Sequence, residues 1–548
     1  VLSVTAGSTR AGFRTRHQVC DWLDIAAEAT PQRSAWITGD GSVTDYATAQ
    51  REVRNIAAGL ADLGIQKGSR VAVLSTDSVD VIETYLAIAG LGGTIVPLNF
   101  RLSAVELADL MKRAELDSIV VAPRYVATIV DSPVAEVAPP MIVATEVPRT
   151  EVETVNPSIS AMRSSARSIE WVAREADELF AISFTSGTTG RAKGVLQPIR
   201  MVEAMVEAGI ANQRLEPGDC RYAGSPLFHV SGWANALYAL RLGSTQLILP
   251  QFDAAVVLRW MQAHDGLTGA TLMPTMIGEI LDSEAAVRGS FPRLRQISYG
   301  GSAAGEQLVR RMDDVFDCDL FNIFGAGTEV GGQALLGPED HRRALDDERA
   351  DLLVSVGKPP PGVELRIVDD QLTDVVPGTV GEIVSRGPCV MTGYLNEPEL
   401  TRSVLLPDGS FRSGDLGWLD EEGYLRLATR RVDMILRGGE NIYPAEVEAV
   451  LASHPNVSDC LVVGVPDERW GELVIALVQS SPAAKADAQE MISHCKQSLA
   501  SYKTPAHVVA VSSIPRSGPL MKADRSAARS IAIEHLAHTH KQKSKGMI

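Results

Sequence analysis

The sequence predicts an α/β protein. A large N-terminal domain (residues 1–429) of mostly parallel sheets flanked by helices is expected, followed by a small α+β C-terminal domain (residues 430–548). Three changes of texture carry this. The first third alternates short apolar runs with helix-periodic stretches, as when parallel strands are covered on both faces. After about Val354, glycines punctuate several short strands, predicting a small antiparallel, β-barrel-like subdomain over about 354–429. From about Arg430 short strands and helices mix.

Val71–Leu74, Thr94–Leu98 and Ser118–Ala122 read as buried strands, and Asp80–Gly90 as a helix between the first two. Ser103-Ala-Val-Glu106 is a capping box that opens another helix. The polar, serine-rich Glu151–Ser168 stretch reads as a surface loop. Pro359-Pro-Pro-Gly362 breaks the chain before Val363–Val368, an alternating strand with one exposed face. Glycines 378, 381, 387 and 393 and the Asp408-Gly409 turn mark the strands that follow. In the last part Ala445–Leu451 and Gln489–Leu499 suit helices and Val457–Val465 a strand. The basic tail His538–Lys545 reads as a frayed end.

Composition excludes several classes. With 548 residues the chain is too long for one compact core. A formal net charge of -17 argues against nucleic acid as a partner. The six cysteines lack CxxC spacing and read as free thiols rather than a zinc site. No apolar run reaches the roughly 18 residues that span a bilayer. The stretch Val1–His17 has arginines but no apolar segment, so a secretory signal is not expected and the cytoplasm is the default.

The chemistry begins at Phe180–Phe184, a strand-like run followed by Thr185-Ser-Gly-Thr-Thr-Gly-Arg-Ala-Lys-Gly194. Glycine lets backbone N–H groups turn toward an anion and approach it closely. Hydroxyls from Thr185, Ser186, Thr188 and Thr189 add donors, and Lys193 adds a point charge. Such a loop suits a polyphosphate. Its spacing of Gly187, Gly190 and Lys193 is not that of a Walker A loop.

This string resembles the signature loop of the adenylate-forming superfamily, in its acyl-CoA synthetase or AMP-dependent CoA ligase branch. Ala192 stands where that loop usually has proline. The resemblance continues in order along nearly the whole chain, and it implies a role for each further motif. Pro226-Leu-Phe-His-Val-Ser-Gly232 resembles the segment that sets a histidine, here His229, between the acyl pocket and the thiol tunnel. Trp233 either walls the acyl pocket or is an ordinary core tryptophan. Ser298-Tyr-Gly-Gly-Ser-Ala-Ala304 is similar to the turn against which adenine lies, so Gly301, Ser302 and Ala303 would bind nucleotide and Gly300 would border the acyl pocket. Ser302 lacks the closing glycine of a hydrolase nucleophile elbow, Ala304 standing there.

Phe321-Asn-Ile-Phe-Gly-Ala-Gly-Thr-Glu329 resembles the aromatic-Gly-x-Thr-Glu motif. By that resemblance Asn322, Phe324, Gly325 and Thr328 would contact ATP or AMP, Ala326 the acyl group, and Glu329 with Thr185 the Mg²⁺ ion. Aligned from Glu329, Gly325 falls where the adenine-stacking aromatic usually sits, and Phe324 is displaced by one. Arg412–Gly417 supplies Asp415 for the ribose hydroxyls. Thr429-Arg-Arg-Val-Asp433 is similar to the interdomain hinge, with Arg430 on the ribose and Val432 where a polar residue is usual. Met434–Glu448 resembles the CoA-ligase form of the next motif, so Arg437, Gly438, Gly439 and Glu440 would meet CoA. Near the C-terminus Lys522 would be the catalytic lysine, although Met521 precedes it where glycine is usual. Lys503 is the neighbouring alternative.

The resemblance implies ATP, Mg²⁺ and coenzyme A. A carboxylic acid becomes an acyl-adenylate with release of pyrophosphate. The mobile C-terminal domain then swings, and the acyl group passes to CoA with release of AMP. A medium- or long-chain fatty acid is the expected substrate and an aryl acid the next. A carrier protein as acceptor, a non-catalytic nucleotide binder and a homodimer stay open.

Overall fold

The computed structural model describes residues 19–130, 133–139, 141–145, 155–156, 158–165, 167–185, 192–302, 304–346, 349–430, 433–437, 440–467, 470–481, 487–499, 501–517 and 522–545. Among these, the expected buried strands form as Arg70–Leu74, Thr94–Pro97 and Ser118–Val121, parallel to one another. All share a sheet of eight strands that runs through Leu179–Thr185 and Lys193–Pro198 to Gly393–Tyr394. A second eight-stranded sheet has at its centre the parallel strands Cys220–Ala223, Gly269–Leu272, Gln296–Gly300 and Asp319–Phe324.

Helices alternate with these two sheets in layers. One apolar cluster joins Trp36 of the second sheet and Val71, Ile95 and Phe180 of the first to helical Val53, Ile56, Val202 and Trp233 between them. The far face of the second sheet, with Tyr222, Ala270 and Ile297, is covered by Val257, Ile277 and Val309. The far face of the first, with Ala72, Val96 and Ile119, is covered by Leu107 and Leu110. Strands buried on both faces explain the continuous apolar runs in the sequence. The Ser103–Glu106 capping box is present at the head of the Ala104–Ala114 helix.

Glu364–Val368, Gly381–Arg386, Phe411–Leu419 and Leu425–Arg430 form an antiparallel four-stranded sheet, as expected after Val354. Gly393–Tyr394 does not join it. That strand returns to the first large sheet and pairs with Val195 and Leu196. The smaller C-terminal domain is built on a five-stranded sheet, with Gly471–Ser480 at its middle, Val457–Asp467 paired along one side of it and the Pro444–Ala452 and Ala488–Ser498 helices against them.

Two local expectations are corrected. Within the serine-rich stretch, Ile159–Arg163 is a helix capped by Ser158, not a surface loop. Ile159 and Met162, three apart, are buried, and Arg163 holds the fully buried Glu83 at 2.7 Å. The polar composition hid a short segment that neutralises a core carboxylate. The tail, expected as a frayed end, is included in the last helix, Arg525–Lys545. No helix among the described residues is long and apolar enough to cross a membrane. All six cysteines are free, and four are buried.

Candidate active site

Four of the predicted segments leave the carboxyl ends of parallel strands, where open α/β sheets place their ligands. Leu179–Thr185 and Lys193–Pro198 form a hairpin whose last register pair is Thr185 with Lys193. That fixes both ends of the predicted phosphate loop. Ser186, Gly187, Thr188, Thr189 and Gly190, within the loop, lie outside the described residues, as do Ala303, Val432, Gly438, Gly439 and Met521.

The hairpin is fastened to the Thr328–Glu329 turn. Gln197, fully buried in its second strand, accepts from Ser183 Oγ at 2.6 Å and donates Nε2 to the Thr328 carbonyl at 3.0 Å. Tyr394, on the adjoining short strand, lies between Lys193 and Glu329. The Lys193 ammonium stands 5.3 Å from the centre of the Tyr394 ring, and the Tyr394 hydroxyl donates to Glu329 Oε1 at 3.4 Å. Burial, and next the Glu329 carboxylate, push the Tyr394 hydroxyl well above the usual phenol range, so it stays a donor. The Met391 N–H holds the Glu329 carbonyl at 2.8 Å.

Beneath them Val195, Met201, Val330, Met391, Tyr394 and Phe411 form one buried cluster. Phe411 starts the strand that carries Asp415, and Ser413 Oγ accepts the Asp415 N–H at 3.0 Å. One core therefore supports the hairpin, the Glu329 turn and the Asp415 strand. Asp415 sits opposite Arg430 in register. At the end of the Gln296–Gly300 strand of the second large sheet, a Cβ on Gly300 would fall 2.3 Å from the Ile323 carbonyl, and Gly301 takes a φ of +80°. Glycine is required at both, and Asn322 pairs with Tyr299 beside them.

The adenine-side aromatic is resolved in part. A Cβ on Gly325 would meet the Gly331 carbonyl at 2.2 Å, so this backbone admits no ring there. Phe324 packs against the Ile367, Ile383 and Leu425 cluster of the antiparallel sheet. Gln333 staples the segment, accepting the Ala326 N–H at 3.0 Å and donating to Ser385 Oγ at 2.8 Å. The structure does not bring Trp233 and Ala326 to one wall. Trp233 is in the central core, its ring 5.5 Å from Phe180, while Ala326 packs on the cluster under the hairpin.

His229 is the cap of the Val230–Leu242 helix, its Nδ1 accepting the Ser231 N–H at 3.2 Å. A Cβ on Gly327 would stand 3.5 Å from Val230 Cγ1, so the Glu329 turn abuts the start of this helix. Burial, and after it the positive charge of Lys522, push the His229 imidazole down to about 4. Lys522, exposed on a two-residue strand paired with Arg516–Ser517, is thus within electrostatic reach of His229. Lys503 instead pairs with Glu446 at 2.7 Å. Arg437 is turned to its own domain, donating to the Tyr502 carbonyl at 2.8 Å, and pairs in register with Glu440.

Sequence reasoning missed Tyr394, Gln197 and Gln333. A glutamine inside the strand-like Lys193–Pro198 run was a visible signal for Gln197, but its partner was not.

Comparisons with known proteins give the family. The AMP-binding enzyme family matches residues 23–395, and the AMP-binding enzyme C-terminal domain matches residues 446–519. The chain is 32% identical to fatty acid--[acyl-carrier-protein] ligase ScoC of Streptomyces coeruleorubidus, over 88% of this chain and 91% of that protein. It is also 32% identical to indoleacetate--CoA ligase of Aromatoleum aromaticum, over 91% and 95%. Among solved structures, ATP-bound MatB from Rhodopseudomonas palustris superposes with a TM-score of 0.85 at 27% identity, over 94% of this chain and 99% of that one. MenE from Bacillus subtilis, an o-succinylbenzoate CoA synthetase in complex with its acyl-adenylate intermediate, gives 0.78 at 28% identity, over 92% and 97%. The chain belongs to the AMP-binding enzyme family, in the AMP-forming acyl-CoA synthetase branch of the adenylate-forming superfamily.

Proposed function

We propose that this protein joins a carboxylic acid to coenzyme A in two steps at the site between the hairpin, Glu329, Asp415 and Lys522. In the first, a carboxylate oxygen bonds to the α-phosphorus of ATP and the bond to pyrophosphate breaks. In the second, the thiol sulfur of CoA bonds to the acyl carbon, AMP leaves and the thiol proton passes to solvent. The observation that carries this reading is the single cluster under Tyr394, which unites the polyphosphate hairpin with the Glu329 turn and the Asp415 strand.

Each residue has a defined task. Thr185, Lys193 and the loop between them cradle the phosphates. Asp415, with Arg430, holds the ribose. Lys522 supplies fixed positive charge where the α-phosphate oxygens gain negative charge. His229 is neutral across the physiological range, so it can gate the acyl group without adding charge of its own. Glu329 and Thr185 offer hard oxygen ligands that fit Mg²⁺, an ion that keeps several waters and shares substrate phosphates. When bound, Mg²⁺ would screen the polyphosphate charge from the incoming carboxylate. The residues after Arg430 form the lid, with Gly438 and Gly439 facing CoA once it has swung.

A fatty acid remains the aliphatic reading of the small residues Ser231 and Ala326. Polar side chains under the Val230–Leu242 helix favour instead an acid with a polar far end. Acid-dependent exchange of pyrophosphate into ATP tests the first step. Thioester formation on free CoA, compared with a phosphopantetheine carrier protein, tests the acceptor. Exchange without thioester on free CoA would select the carrier; no exchange with any acid would refute the reading.

A further inference from the structure

A row of polar side chains descends from His229 beneath its helix. Ser231 Oγ lies 3.1 Å from His229 Nδ1. One turn on, Asn235 Nδ2 donates to the Ser231 carbonyl at 2.8 Å, and its Oδ1 accepts from Thr271 Oγ1 at 3.2 Å. Thr271 in turn accepts from Arg221 Nη2 at 3.3 Å. Thr271 and Arg221 share the sheet face that also carries Ser298 and Gly300, two and four positions beyond Gln296 on one strand.

The row ends in buried polar groups without partners, mostly donors, with the Oε1 acceptor of Gln246 beside Arg221 in register. Arg221 and Gln296 are each 4% exposed. Arg221 Nε and Nη1 and Gln296 Nε2 are buried with no hydrogen-bond partner. The two residues pair through Gly269 on the strand between them, and a Cβ there would fall 2.3 Å from Arg221 Nη1. Only glycine lets the guanidinium lie across that strand. Asp219, whose charge acts on Arg221, is already engaged by Arg295 at 2.5 Å and Thr268 at 2.6 Å. Burial pulls the Arg221 guanidinium down to about 10, so it remains charged near neutrality. A buried cation with idle N–H groups is costly unless an anion completes it.

We infer that Arg221 and Gln296 form the far end of the acid-binding pocket and select acids that carry a second carboxylate. This rests on the proposed acid activation, which sets the reacting carboxyl beside His229 and Gly300. Gln296 lies four residues before Gly300, about 13 Å along the strand at about 3.3 Å per residue. The substrate class is therefore a dicarboxylic acid of moderate length, linear or on a compact ring. A plain hydrocarbon tail would leave the Arg221 and Gln296 donors unmet, which a site built on hydrogen bonds penalises heavily.

The test measures AMP release by the full chain with ATP, Mg²⁺ and CoA. Linear α,ω-dicarboxylic acids are compared with monocarboxylic acids of equal length. The diacid should exceed its matched monoacid in kcat/KM by roughly 100-fold or more. Arg221→Met should collapse that ratio at least about 10-fold, and Gln296→Leu should lower it less. A ratio does not depend on the folded fraction of a weakened variant. Monoacids used as well as diacids, or an unchanged ratio in Arg221→Met, would overturn the selectivity while leaving acid activation standing. No AMP release and no pyrophosphate exchange with any acid would overturn both.

Discussion

Tyr394 touches two charged groups at once, with its ring beside Lys193 and its hydroxyl on Glu329. A phenol kept protonated by burial can orient a carboxylate without neutralising it. Tyr394→Phe should therefore keep the ring packing and lose the orientation of Glu329. The expected result is a roughly 10-fold slower adenylation step with an increased Mg²⁺ requirement, read by pyrophosphate exchange across a Mg²⁺ titration. An unchanged Mg²⁺ dependence would place Glu329 outside metal binding.

The histidines give a prediction with a definite sign. Burial pushes both His229 and His341 down to about 4, below the unfolded value near 6.5. The unfolded chain then binds more protons than the folded one as pH falls from about 6.5 toward 4, so these residues weaken the fold in that window and not above it. His229→Gln should flatten part of the loss of melting temperature between pH 6.5 and 4, and leave the value at pH 8 to report only the lost helix cap. At this scale the sequence named Lys193, Glu329 and Asp415, because their motifs are local. It did not name Tyr394 or Gln333, whose meaning comes from partners far along the chain.

Among the elements, the pair of strands Gln296–Gly300 and Asp319–Phe324 sets the floor of the proposed nucleotide site. Their closest approach is at Gly300, against the Ile323 carbonyl. Gly300→Ala should cost about 1–3 kcal/mol as overpacking against backbone. It should also slow adenylation, through displacement of Gly301 and Ser302. Thermal denaturation and pyrophosphate exchange on the same sample check both effects.

Elements with a strong local signature were legible in advance: the Ser103 capping box, the buried strands of the first sheet and the antiparallel strands after Pro359. Gly393–Tyr394 was not, since a two-residue strand has no periodicity and its partner, Val195–Leu196, is remote in sequence. The Ile159–Arg163 helix was hidden for another reason. Its order comes from tertiary contacts, Met162 against Gly59 and Arg163 against Glu83, which a polar composition does not announce.

Across the whole molecule, the order of the motifs along the chain was enough to read the family and its layered architecture. How the C-terminal domain rests on the rest was not readable, because it depends on surface fit rather than pattern. Here the Lys522 charge acts on His229, an arrangement suited to the adenylating step, while Arg437 faces its own domain. In the proposed function, thioester formation then requires the lid to turn. A residue used in one arrangement and withdrawn in the other must affect the two half-reactions unequally.

Measuring the two half-reactions of Lys522→Ala separately tests this most directly. Pyrophosphate exchange should fall by about 10²–10³, the loss of a fixed charge on the developing phosphate oxygens. Conversion of supplied acyl-adenylate and CoA to thioester should stay near the unmodified rate. An equal loss of both half-reactions, or an undiminished exchange, would contradict the account.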